Sequence, residues 1–175
     1  VEVYNDSLDL LETADSSSTD GRFSFNISDN AFIAEYLTLS KTFANATMLC
    51  DAPRGCRTGV SFGEDYVLPA DDSQGGLSTI LLKPDGGTTT DVHINLFTQL
   101  TRFQVEQDVE PPSATSLSAA QQVVADFFNL TSQDFSTLEF VDVTDANVAP
   151  SSVQAAKAAL LSAGVFGATF EDSDR

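Results

Sequence analysis

Hydrophobic and polar positions alternate through the first half of the chain and recur at helical spacing through the second. Val1-Glu2-Val3-Tyr4 alternates as a strand does, and Leu8, Leu10 and Leu11 form a second short apolar segment. The polar run over residues 15–21 ends in Asp20-Gly21, a hairpin-turn dipeptide. Phe23, Phe25 and Ile27 follow on one face. Residues 32–39 predict another strand, with Ile33, Glu35, Leu37 and Leu39 on one face; Glu35 breaks that face. Residues 43–76 read as long and irregular. Residues 77–82 and 91–96 predict strands bracketing the turn Pro84-Asp85-Gly86-Gly87.

The period then changes. Leu96, Leu100 and Phe103 predict a helix starting near residue 96 and closed by Pro111-Pro112. Ser118-Ala-Ala-Gln121 is a capping box, and the helix it opens carries the stripe Val123, Val124, Phe127 and Phe128. Thr131-x-x-Asp134 predicts a short capped turn holding Phe135 and Leu138. Ser151-Ser-Val-Gln154 is a second capping box, opening an Ala-rich helix with Leu160 and Leu161 that Gly164 should stop. Residues 171–175 read as a frayed end. The expected class is α+β: an N-terminal antiparallel β-sandwich-like unit over residues 1–95 and a helical segment over residues 96–175 packed against it.

Charge narrows the function classes. Twenty-six Asp and Glu against eight Lys and Arg leave a net charge of −18 in 175 residues. Sequence-independent nucleic-acid binding needs a basic face, so no nucleic-acid partner is expected, and docking on anionic membranes is disfavoured for the same reason. No apolar run reaches the roughly 18 residues of a spanning helix, so no transmembrane segment is expected in this chain. Dense carboxylates and only three lysines (Lys41, Lys83, Lys157) fit a hydrated exterior, as in salty habitats or on bacterial surfaces. The first residue is Val rather than Met, which reads as a processed chain with sequence missing upstream.

Cys50 and Cys56 flank Asp-Ala-Pro-Arg-Gly, and Pro53 and Gly55 favour a turn that brings the two side chains together. The expectation is a local disulfide and an extracytoplasmic location, whether periplasmic, cell-surface or secreted. The spacing excludes a Cys-x₂-Cys metal knuckle. Asn-x-Ser/Thr triplets begin at Asn5, Asn26, Asn45 and Asn129; a Ser/Thr-rich chain generates such triplets by chance, which is the reading favoured at this level.

The stretches Val1-Glu-Val-Tyr4 and Thr19-Asp-Gly-Arg-Phe-Ser-Phe25 resemble the carboxypeptidase-regulatory-like, transthyretin-like sandwiches of bacterial exported proteins. Val92-His-Ile-Asn-Leu-Phe-Thr-Gln-Leu100 is similar to the junction where such a sandwich runs into helices in surface lipoproteins, and Ser118 to Leu130 looks like their next helix. The resemblance implies a surface or lipoprotein module and assigns no catalytic residues.

The residues themselves carry little chemistry. His93 is the single imidazole, and no nucleophile motif accompanies it. The absence of Trp leaves a sugar-stacking platform poorly supplied. Calcium is the more serious candidate, because hard cations take clustered carboxylates; Glu64, Asp65, Asp71 and Asp72 are the loop candidates, with Asp85 and Asp91 nearby in the chain. None matches the EF-hand spacing. No other cofactor is expected. The thirteen Phe read as core supply, with Phe23, Phe25, Phe103, Phe127 and Phe128 on predicted buried faces. The leading expectation is a noncatalytic extracytoplasmic module acting in binding, adhesion or scaffolding, with other surface proteins or extracellular glycans as partners. The alternatives are a small hydrolase using loop carboxylates and a calcium-stabilised domain of a larger exported protein.

Overall fold

The computed structural model describes residues 1–5, 9–15, 23–25, 36–41, 47–56, 59–67, 77–83, 92–107, 111–131, 135, 138, 141–145, 147 and 149–171. Its strands are β1 (Glu2–Tyr4), β2 (Leu10–Thr13), β3 (Tyr36–Lys41), β4 (Thr47–Leu49), β5 (Asp65–Val67) and β6 (Leu77–Leu82). Its helices are α1 (Leu96–Val105), α2 (Ala114–Phe128) and α3 (Val153–Glu171). The class is α+β. Two compact units divide the chain: Val1–Thr42 with Gly75–Thr137, and Phe43–Gln74 with Leu138–Arg175. Residue 95 lies inside the first unit.

The first unit holds an antiparallel sheet in the order β2-β1-β3-β6. Register sets Val3, Leu39 and Thr79 in one row, and side chains alternate between faces along each strand. On Val3's face, Phe23, Phe25, Leu81, Val92 and Ile94 pack around its fully buried side chain. On the opposite face Ile80 meets Val105 of α1 and Ala120 of α2, with Leu82 and Leu117 alongside. Strand β6 therefore serves two apolar layers, which is why Leu77, Ile80, Leu81 and Leu82 crowd into six residues. Beyond the sheet, Phe97 stacks on Phe135 at 5.3 Å between ring centroids and meets Phe128 edge-on at 5.4 Å.

The second unit holds the β4–β5 ladder, the Cys50–Cys56 disulfide and α3. Ala155, Ala158, Ala159, Ser162 and Ala163 form a buried stripe of helical period on α3.

Several expectations need correction. Helix α2 opens at Ser113, not Ser118: Ser113 Oγ accepts from Ser116 N at 3.1 Å, and Ser113 N donates to Ser116 Oγ at 2.9 Å. Ser113 is the first residue after Pro111-Pro112 that supplies a cap, so the helix begins there and Ser118 becomes interior. Gly164 does not stop α3, which continues to Glu171; an interior Gly costs only about 1 kcal/mol. Residues 92–95 join no described ladder; Val92 and Ile94 pack on Val3 instead. Phe23 to Phe25 likewise carries no strand pairing. The stretch read as irregular contains the β4–β5 ladder. Phe127 is 82% exposed and Phe103 51%, so neither is core. The Asp20-Gly21 hairpin, the 84–87 turn and the 131–134 cap fall largely outside the described residues.

Candidate functional site

The most elaborate polar arrangement is a seam between β6 and α1. Gln99 Oε1 accepts from both Ser78 N and Ser78 Oγ, each at 2.6 Å. Arg102 Nη1 donates to the same Ser78 hydroxyl at 2.7 Å, and Arg102 Nε donates to Glu106 Oε1 at 2.6 Å. Thr98 Oγ1 donates towards Ser78 O at 3.2 Å. The seam begins at Asn95, whose side chain caps α1 by accepting from Thr98 N at 2.9 Å and donates to Phe135 O at 2.9 Å. Ser78 is fully buried, so these bonds satisfy groups that the fold removes from water. The arrangement ties a strand to a helix. It contains no general base next to the hydroxyl, because Ser78 Oγ faces a carboxamide and a guanidinium.

Beside the seam lies a cavity of about 10 Å³ lined by Thr79, Ile80, Thr98, Thr101, Leu117 and Gln121. That volume matches a single water and is far below an organic ligand's pocket. Thr101 Oγ1 is buried there without a hydrogen-bond partner among the described residues.

His93 stands half-buried in the segment ahead of α1. Among the described residues no side chain is hydrogen-bonded to it.

In the second unit the disulfide closes a tight loop. Cys50 and Cys56 are buried, with Cα atoms 5.6 Å apart. Cys50 N donates to Glu64 O at 2.9 Å and Gly63 N donates to Cys50 O at 2.8 Å, extending the β4–β5 ladder to the disulfide. Gly55, at φ 91°, has the Val60 carbonyl oxygen 2.5 Å from where a Cβ would sit. No other residue fits that position.

Of the calcium candidates, Glu64 and Asp65 are both exposed, Glu64 just ahead of β5 and Asp65 at its first position. The Glu64 carboxylate already accepts from Ser61 N at 2.7 Å. Asp71 and Asp72 lie outside the described residues, as do Asp85 and Asp91. Among the described residues no three His, Cys, Asp or Glu side chains converge as a metal site.

A different acidic pair emerges. Burial raises the Asp51 carboxyl above the usual carboxylate range, and the charge of Asp142 raises it further. Asp142 itself is held low by the Thr144 hydroxyl, at 2.6 Å, and the Thr144 N–H, at 2.8 Å. Ninety-one positions separate the two residues, and no sequence signal links them. Gln99 and Arg102 were more accessible, because they share a polar face at i and i+3 of a predicted helix.

Among the described residues no helix is long and apolar enough to cross a membrane. No family model, curated protein or solved structure matches the chain.

Proposed function

We propose that the chain is a noncatalytic extracytoplasmic module, acting in binding, adhesion or scaffolding at a cell surface or in a secreted protein. The observation that carries this reading is the buried Cys50–Cys56 disulfide, which persists in oxidising compartments and is rare where glutathione keeps thiols reduced. It closes a structural loop between β4 and β5. The net charge of −18 supports the same location, as a hydrated and self-repelling exterior. The likeness of Val1 to Tyr4 and of Thr19 to Phe25 to exported carboxypeptidase-regulatory-like sandwiches points the same way. The test is thiol trapping in the producing cells before lysis, followed by fractionation and non-reducing peptide mass spectrometry. The expected result is linked Cys50 and Cys56 peptides from protein outside the cytoplasm. Alkylated thiols on cytosolic protein would overturn the reading.

A further inference from the structure

Two of the four Asn-x-Ser/Thr triplets fall on asparagines that the structure describes, and it separates them; Asn26 and Asn45 lie outside the described residues. Asn5 is 3% exposed. Its carboxamide donates to Asp9 Oδ2 at 3.1 Å and accepts from Asp9 N at 2.8 Å, so both ends are engaged by Asp9. Asn129 instead stands exposed at the C-terminus of α2, at φ 53°, a left-handed conformation that Asn tolerates. Leu130 after it is buried, its N–H donating to Ala125 O at 2.8 Å, and Thr131 is exposed again. The triplet thus offers its first and third residues to solvent on a backbone that the helix end holds in place.

We infer that Asn129 is an acceptor for an N-linked glycan. The inference rests on the extracytoplasmic reading, since the donor, a polyprenyl-diphosphate-linked oligosaccharide, is used outside the cytoplasm. In the step, the Asn129 carboxamide nitrogen bonds to the anomeric carbon of the first sugar. The bond from that carbon to the diphosphate oxygen breaks, polyprenyl diphosphate leaves with the electron pair, and the amide nitrogen gives up one proton. Asn5 cannot carry a glycan in this fold, because its side chain is enclosed and both its polar ends are in use.

The test is glycopeptide mass spectrometry on the full chain purified from its own producing cells, with the compartment recorded. A sugar adduct is expected on the Asn129 peptide and none on the Asn5 peptide. Thr131→Ala and Asn129→Gly should each abolish the adduct; the glycine keeps the left-handed helix end, so circular dichroism should be unchanged. Bare Asn129 on exported protein overturns the glycan inference alone. Bare Asn129 on cytosolic protein overturns both readings. An adduct on Asn5 instead of Asn129 also overturns the inference.

Discussion

Ser78 donates its hydroxyl to Gln99 Oε1 at 2.6 Å, and the backbone N–H of the same serine donates to the same oxygen. One carboxamide oxygen on α1 therefore satisfies two buried donors on β6. Gln99→Leu should strand both, at about 1–3 kcal/mol for a lost buried partner. Ser78→Ala should cost less, because Gln99 keeps the backbone donor and only Arg102 loses its acceptor. Urea denaturation of both variants and the double mutant would check the order. Additive effects would show that the two residues do not act as a unit.

Asn95 joins the start of α1 to Phe135 through the two ends of one carboxamide. Asn95→Asp keeps an acceptor for Thr98 N but loses the donor to Phe135 O and buries a charge. It should therefore be worse than Asn95→Ser, which retains capping without the charge. Asn95→Ala should destabilise by about 1–2 kcal/mol from the cap alone. Equal melting points for the Asp and Ser variants would count against the burial of a charge at this position.

Thr101 carries a buried hydroxyl without a partner among the described residues. Thr101→Val replaces it by a methyl of similar shape, and removing an unsatisfied polar group is neutral or stabilising, here by up to about 1 kcal/mol. A loss of stability in thermal melts would show that the hydroxyl is bonded in solution.

The acidic pair of the second unit gives opposite pH signatures. The folded pKa of Asp51 lies above its unfolded value, so the folded state holds the proton more tightly. Ionisation then opposes folding, and this penalty grows as pH rises through the raised pKa. Asp51→Asn should therefore raise the melting point at neutral pH, with the gain fading under acid. The folded pKa of Asp142 lies below its unfolded value, so its contribution is present above the ordinary carboxylate range and lost as pH falls through the lowered pKa. Asp142→Asn should lower stability at neutral pH through its Thr144 bonds while relieving Asp51. Melts of the two single variants and the pair from pH 3 to about 8 would resolve the signs. Parallel profiles would contradict the assignment.

The Cys50–Cys56 loop should stabilise the second unit by about 2 kcal/mol through loop closure. Replacing both cysteines by Ala measures that amount by chemical denaturation. Gly55→Ala in the intact chain should be comparably harmful, because its Cβ meets the Val60 carbonyl. A neutral Gly55→Ala would mean that the loop adopts another path.

Local chemistry alone determined much of this protein. Alternation was enough to place β1, an apolar run before a turn placed β6, helical spacing placed α1, and Pro53 with Gly55 anticipated the disulfide turn. Each of these depends on neighbours within a few residues. Tertiary contact decided the rest. Ser113 and Ser118 both offer capping chemistry, and the helix starts at the first that the proline pair permits. Val92 and Ile94 alternate like a ladder strand, yet they cover Val3 without pairing. Phe127 and Phe128 are neighbours of equal hydrophobicity. Only Phe128 meets the Phe97 ring, while Phe127 is left in solvent. A sequence sets which side chains prefer to leave water. Which of them can do so depends on what the rest of the fold brings to meet them.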